Sequence, residues 1–256
     1  MHKKFRYIFM LLLLIITPLA SLAQEEMSDP LEPMNRKFFW FNEKVDEHAL
    51  EPMSRGYDKI LPNGAKVGIK NFFNNLEYPK ILVSNLVQLK FVNAAEQTGR
   101  FVVDTTVGMF GLFDVAKGLG LESHKTDMGI ALGYYGVPTG PYLVIPLKGP
   151  SNLRDLVGFL GDIFLDPFYM AGFLTNWSVR NQWIISGSAK VLDAVDVRYR
   201  MTEALDAGRE SALDFYLFSK SAYYQYRRGL IYDGSPPDEE ESLAGVGDID
   251  EIDIEE

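Results

Sequence analysis

The stretch LVGFLGDIFLDPFYMAGFL, residues 156–174, decides the fold because it is apolar on nearly every side. Asp166-Pro167 divides it into two arms of about seven to ten residues, and a proline inside a helical run favours a break. Each arm is shorter than the roughly 20 residues that a helix needs to cross a bilayer. The sequence therefore predicts an apolar helical hairpin that does not span a membrane.

Two surroundings fit such a hairpin. A helix that is apolar all round is either buried in a protein core or in contact with lipid. Taken alone, the segment favours the core. The 17 Phe, 13 Tyr and 3 Trp of the chain also suit a membrane interface, into which amphipathic helices sink by roughly 5 to 10 Å. Trp177, just beyond the hairpin, fits an interfacial anchor or a core residue equally well.

Apolar residues elsewhere recur at spacings near 3.6, which is typical of helices. The clearest pattern predicts one long helix from about Val197 to Arg228, with Gly229 as a stop signal and Arg227 placed to interact with the helix dipole. A preceding helix, capped by Asn176 or Ser178, is expected to pair with it.

Upstream, a helix is predicted to begin near Val67 and to be interrupted at Pro79, with further helices over residues 80–89 and 92–106. The strand pattern is confined to Tyr142–Ile145, so the predicted class is all-α. Gly129–Pro150 is rich in glycine and proline and predicts an ordered, aromatic-rich loop. This loop is either a packed connection or the lining of a ligand path.

The two ends differ in composition from the rest of the chain. Three basic residues precede an apolar run from Tyr7 to Ile16, the order found in a signal peptide, with cleavage expected after Ala23. Residues from Asp238 onward include ten acids and no base, which predicts disorder. The predicted organisation is a signal peptide over residues 1–23, a helical domain over 24–234 and an acidic disordered tail over 235–256.

The charge and the lack of cysteine exclude several classes of protein. The net charge of -10 comes mainly from the tail, since the rest of the exported chain has 22 basic and 25 acidic residues. A near-neutral body has no strongly basic face, so no nucleic-acid partner is predicted. The chain has 0 Cys, which excludes a disulfide framework and a thiolate metal site.

Catalytic signatures are missing from the sequence. It has no G-x-S-x-G, H-E-x-x-H, S-x-x-K or P-loop motif. His48 and His124 are the histidines that follow the predicted leader, and His124 with Asp127 has the spacing of two metal ligands on one helix face. Two ligands do not define a site, so we predict no enzyme, no metal and no cofactor.

Several short motifs resemble one family. DPLEPMNR, residues 29–36, resembles the opening of the MlaA family, also called VacJ. Six further motifs are similar to that family's pattern and occur in its order: NFFNNL at 71–76, GLFDVA at 111–116, TDMG at 126–129, GYYGV at 133–137, GPY at 140–142 and NLRD at 152–155. The resemblance covers about residues 29 to 230.

The resemblance implies a ring-like bundle of helices in the inner leaflet of the outer membrane. It implies an amphipathic channel that removes mislocalised phospholipid from the outer leaflet and passes it to a periplasmic phospholipid-binding protein, with a trimeric porin as partner and without a cofactor. The expected location is therefore the periplasmic side of the outer membrane. Family members are commonly lipoproteins, whereas Gln24 occupies the place of the acylated cysteine here, so no lipid anchor is expected.

This function predicts the lipid contacts. We expect acyl chains to contact four phenylalanines and three tyrosines to line or brace the path. These residues are Phe159, Phe164, Phe168, Phe173, Tyr134, Tyr135 and Tyr142. The alternatives are a porin-associated structural adaptor and a periplasmic lipid hydrolase, which would need clustered carboxylates or a serine beside His48 or His124.

Overall fold

A computed structural model of the chain describes residues 29–175 and 177–236. The predicted signal peptide and the acidic run from residue 238 lie outside these residues. The helices are α1 Glu32–Val45, α2 Glu51–Ile60, α3 Asn63–Leu76, α4 Tyr78–Val87, α5 Phe91–Thr106, α6 Val115–Gly118, α7 Met128–Tyr134, α8 Leu153–Ile163, α9 Pro167–Leu174, α10 Val179–Arg200, α11 Thr202–Ser211 and α12 Phe215–Ile231. A π-helical turn, Asp46–Leu50, joins α1 to α2, and the strands are β1 Tyr142–Ile145 and β2 Gly149–Asn152.

The predicted all-α class is confirmed, and the helices predicted at 80–89 and 92–106 correspond to α4 and α5. The Gly/Pro-rich stretch is more regular than the predicted loop. It begins as α7, because the Asp127 side chain accepts a hydrogen bond from the Ile130 amide and caps the helix. It ends as the antiparallel pair of β1 and β2, in which Tyr142 faces Asn152.

The opening motif attaches α1 to the strand pair. Asn35 is fully buried, and its amide nitrogen donates hydrogen bonds to the carbonyl of Tyr142 at 2.9 Å and to Asp29 at 2.8 Å. Its amide oxygen accepts from the backbone of Val144 at 2.9 Å. The Tyr216 hydroxyl, from α12, also donates to Asp29. This motif therefore ties the beginning of the domain to its core, in which Tyr142, Val144 and Tyr216 pack together.

The single long helix predicted from Val197 to Arg228 is wrong. The chain breaks after α10 at Met201 and again after α11, where Ala212 is extended and Asp214 caps α12 by accepting from two backbone amides. The predicted pairing with a preceding helix is also replaced, since α10 packs against α2, α3 and α9. The apolar period continues across the breaks, so periodicity alone could not locate them.

The apolar segment forms the two predicted arms, α8 and α9. The Asp166 side chain accepts hydrogen bonds from the amides of Phe168 and Tyr169, and Pro167 is the first residue of α9. By length and composition alone Leu153–Leu174 could cross a membrane, and only 11% of its most apolar window is buried. The break divides it into helices of 11 and 8 residues, each shorter than a bilayer requires.

Candidate functional site

A cavity of about 490 Å³ lies among α3, α4, α8, α9, α10 and α12. Its apolar lining side chains include Phe73, Leu76, Phe159, Ile163 and Phe168. The charged lining side chains are Glu77, Lys80, Asp127, Lys148, Asp155, Asp162, Asp166, Lys190, Asp193 and Arg227. The helices thus surround an amphipathic cavity, in agreement with the predicted ring-like bundle.

The TDMG and NLRD motifs meet at the wall of this cavity. Arg227 of α12 donates hydrogen bonds of 2.6 and 2.9 Å to Asp127, and its Nε lies 2.8 Å from an oxygen of Asp155. The Tyr223 hydroxyl also donates to Asp155. Although burial favours the neutral acid, the hydrogen bonds from Arg227 hold the pKa of Asp127 below its usual value. Asp127 is therefore held ionised and paired with Arg227, which also contacts Asp155.

Two other lysines of the lining are paired, whereas Lys148 is not. Lys80 lies 2.7 Å from Glu77, and Lys190 lies 3.2 Å from Asp166. Among the described residues Lys148 makes no ion pair, and its ammonium group lies 3.5 Å from the centroid of the Phe159 ring. Burial lowers the pKa of Lys148. A cation without a carboxylate partner is therefore placed directly on an apolar surface.

Asp162 is the acidic counterpart of Lys148. Its pKa is raised to about 6, mainly by burial and then by the neighbouring charge of Asp127. The backbone amide of Met128 donates a hydrogen bond of 3.3 Å to it. The cavity thus holds a base and an acid outside the ion pairs, both beside apolar side chains.

The structure divides the four predicted phenylalanines into two pairs. Phe159 and Phe168 line the cavity. Phe164 and Phe173 lie outside that lining and are 64% and 77% exposed. The first pair therefore faces the cavity, and the second pair is exposed on the surface of the protein.

The three predicted tyrosines do not line the cavity. Tyr134 lies beneath the ammonium group of Lys90, 4.8 Å from its ring centroid, and the Tyr135 hydroxyl donates to the carbonyl of Val87 at 2.6 Å. Both rings are largely exposed. Tyr142 is 0% exposed and packs against Tyr216 in the core. Tyr142 is therefore a core residue that does not belong to the cavity lining.

Sequence reasoning missed the charged half of the cavity. Asp127 and Asp155 belong to the TDMG and NLRD motifs, and this membership is the available signal for them. For Arg227 the sequence indicates only an interaction with the helix dipole. Lys148 lies in the turn between β1 and β2, and nothing in its sequence context distinguishes it from a surface lysine. Its role depends on its contact with the ring of Phe159, which lies 11 positions later in α8 and is placed there by the turn of the chain.

Neither His48 nor His124 belongs to the cavity lining. His48 bonds to the carbonyl of Lys44 at 2.9 Å, and His124 contacts Glu96 at 2.5 Å. His124 and Asp127 do not share a helix face, because His124 precedes α7 and Asp127 caps it, and Asp127 is paired with Arg227. Across residues 29–175 and 177–236 there is no group of three or more His, Cys, Asp or Glu side chains that could hold a metal.

A family model and several curated proteins match this chain. A model described as MlaA lipoprotein matches residues 27–229. The chain is 30% identical over 239 residues to the intermembrane phospholipid transport system lipoprotein MlaA of Escherichia coli K12, covering 91% of this chain and 90% of that protein. It is 31% identical over 225 residues to the protein of the same name from Haemophilus influenzae, covering 85% of each.

A solved structure described as the structural basis for maintenance of bacterial outer membrane lipid asymmetry has the same fold. The TM-score is 0.65 and the sequence identity is 31%. The match covers 80% of this chain and 99% of that chain.

Proposed function

Because this chain belongs to the MlaA lipoprotein family, we propose that it transports phospholipid at the outer membrane, using the cavity as the path. The contact between Lys148 and Phe159 carries this proposal. It places a cation 3.5 Å from the centre of an apolar ring, inside a cavity with both apolar and charged lining. A phospholipid has a phosphate at the junction of its polar and apolar parts, so it needs these two surfaces side by side.

In this mechanism the residues bind and orient the lipid without breaking a bond. Phe159 and Phe168 contact the acyl chains, and Lys148 contacts the phosphate. Desolvation strengthens that contact, because the field of the ammonium group is less screened in the cavity than in water. A phospholipid that moves toward a lower chemical potential needs no nucleotide hydrolysis. The path therefore requires only a surface that binds both the acyl chains and the phosphate.

The proposed direction is from the outer leaflet of the outer membrane to the periplasm. There a periplasmic phospholipid-binding protein accepts the lipid, while a trimeric porin holds the protein beside the leaflet. The exposed apolar face of α8 and α9, which includes Phe173 and is extended by Phe164 at the end of α8, supports a position in the inner leaflet, since large apolar patches rarely face water.

A charge placed in the cavity tests this function. Phe168→Asp puts an unpaired carboxylate where an acyl chain would lie, and phospholipid transfer should fall at least tenfold. Transfer is measured from vesicles containing the full-length protein to a soluble phospholipid carrier, together with mass spectrometry of co-purified lipid.

Leu213→Asp provides the matched control, because Leu213 is fully exposed between α11 and α12. This variant should transfer lipid as the unaltered protein does. Circular dichroism of both variants tests whether the helices are retained. Unchanged transfer by a folded Phe168→Asp variant would reject the conduit and favour a porin-associated structural adaptor.

A further inference from the structure

A second pocket lies beside the cavity, and Arg227 lines both. The second pocket has a volume of about 160 Å³ and is formed where the C-terminal ends of α7 and α12 meet the beginning of α8. Its lining includes three arginines, Arg154, Arg227 and Arg228, and no carboxylate. This concentration of positive charge is not used by the acyl-chain path proposed above.

Arg154 is the most informative of these residues. Its side chain is only 5% exposed, its Nε donates to Asp155 at 3.0 Å, and its Nη1 donates to the carbonyl of Val137 at 3.4 Å. The remaining nitrogen, Nη2, is buried and has no hydrogen-bond partner among residues 29–175 and 177–236. Buried charged donors are costly to leave unpaired, so this nitrogen indicates a site for an acceptor.

The local backbone leaves room for this guanidinium group at the wall of the pocket. Gly133 lines the pocket, and a Cβ atom at that position would lie 2.9 Å from Nη1 of Arg154 and 2.7 Å from Ile231. Any larger residue would therefore press against the guanidinium group. The hydroxyl-bearing Thr139 is also part of the lining and adds a neutral donor.

Helix-dipole interactions explain only part of this cluster. Arg228 lies in the last turn of α12, where a cation is favoured by the helix carbonyls. Arg154 is the second residue of α8, at the opposite end of a helix, where the dipole disfavours a cation. Asp155 pairs with Arg154 and Asp127 pairs with Arg227, and the pocket still presents guanidinium groups from two helices at one place.

We infer that this pocket binds the phosphate group of a phosphate ester, with Arg154 and Arg228 as its recognition residues. Planar guanidinium groups match the oxygens of phosphate in geometry and charge. The pocket is smaller than the roughly 300 to 1,000 Å³ of sites for larger ligands, so it accepts a headgroup and leaves acyl chains outside. If the bound ester is a phospholipid that moves past Arg227, the inference rests on the proposed function. Binding of a free phosphate at this pocket does not depend on that function.

The test titrates two probes into the full-length protein in detergent. Inorganic phosphate reports the anion site alone, and dihexanoylphosphatidylglycerol below its micelle concentration reports a lipid headgroup. Binding is followed by calorimetry and by phosphorus NMR line width. We expect saturable binding that weakens about tenfold in Arg228→Gln and in Arg154→Gln, since each removes a charged hydrogen bond.

Arg55→Gln is the matched control, because it removes the same charge from an exposed position on α2. Its affinity for both probes should equal that of the unaltered protein. If Arg154→Gln does not fold, Arg228→Gln and Thr139→Val still test the pocket. Tighter arginine-dependent binding of the lipid probe than of phosphate identifies a lipid headgroup as the source, and equal or tighter binding of phosphate identifies a free anion.

Two results would overturn the inference. One is the absence of saturable binding of either probe, and the other is equal affinity in Arg228→Gln, Thr139→Val and the unaltered protein. The transport function is judged separately by Phe168→Asp, which should retain phosphate binding. Arginine-dependent phosphate binding without lipid transfer would reject transport while leaving this site intact.

Discussion

Arg227 and Asp127 form a two-point ion pair, in which the guanidinium group donates to both carboxylate oxygens at 2.6 and 2.9 Å. The two residues are 100 positions apart and join α12 to the start of α7. Asp155, 2.8 Å from the same guanidinium group, adds the beginning of α8. One side chain therefore connects three segments that border the cavity.

The first prediction concerns this ion pair. Arg227→Gln leaves the partly buried Asp127 without its cation and the buried Asp155 with Arg154 alone, and it should lower the free energy of unfolding by roughly 3 kcal/mol. Chemical denaturation in detergent, followed by circular dichroism, measures the change. Arg55→Gln, which breaks an exposed pair with Glu51, should cost less than about 1 kcal/mol. Similar losses in the two variants would show that Arg227 does not connect these segments.

The second prediction concerns the contact between α7 and α8. A Cβ atom at Gly158 would lie 2.2 Å from the backbone nitrogen of Gly129. Gly158→Ala should therefore force the two helices apart and lower the free energy of unfolding by roughly 1 to 3 kcal/mol.

Gly187→Ala is the control, because no atom lies within 4 Å of a Cβ added at that position in α10. Alanine there should raise the free energy of unfolding by about 0.5 to 1 kcal/mol through its better helix propensity. Thermal melts of both variants measure the two changes. If both variants changed the free energy of unfolding in the same direction, the result would contradict the close approach of Gly129 and Gly158.

Local signals in the sequence predicted the elements whose boundaries are set by local chemistry. Asp166-Pro167 marked the break between α8 and α9, because aspartate caps a helix and proline begins one. Pro79 likewise marked the start of α4. The breaks around α11 have no proline or glycine at Met201 or Ala212, so the same reasoning placed one helix there.

The cavity could be predicted only in part. Phe159 and Phe168 were found because they lie in an unusually apolar segment, whereas Phe164 and Phe173 share that signal and face outward. Which apolar residues face inward depends on how α8 and α9 pack against other helices. The charged lining depends on packing in the same way. Lys148 differs from a surface lysine only because its ammonium group lies beside the ring of Phe159.

The third prediction is a pH dependence at Asp162. Burial raises its pKa in the folded protein to about 6, above the usual 3.8. Between these values the folded state holds the proton more tightly than the unfolded state, so stability falls as the pH rises from about 4 to 6. Asp162→Asn should remove this dependence. The free energy of unfolding, measured against pH, should therefore decline more steeply in the unaltered protein.

Asp58 supplies a control of opposite sign. Its hydrogen bond from Lys66 holds the pKa of Asp58 below its usual value, so its stabilising contribution is lost as the pH falls below about 4. Asp58→Asn should flatten the acid side of the profile and leave the decline between pH 4 and 6 in place. Identical profiles for Asp162→Asn and the unaltered protein would mean that Asp162 does not titrate in this range.

The fourth prediction concerns the outward face of α8 and α9. Phe173 is among the most exposed large apolar side chains of the described residues, and it lies outside the cavity lining. If this face contacts acyl chains, Phe173→Asp introduces a carboxylate into an apolar layer, at a cost of up to about 2 kcal/mol. Vesicle flotation should then show membrane binding weakened by more than about fivefold.

Leu213→Asp is again the control, because it places the same carboxylate at an exposed position outside α8 and α9. It therefore distinguishes an effect of the position from an effect of the added charge. It should float as the unaltered protein does. Loss of flotation in both variants would indicate a general effect of negative charge on vesicle binding. Full flotation of Phe173→Asp would place the outward face in water, and the exposed phenylalanines would then have to be covered by protein, since an apolar patch of this kind is rarely left uncovered.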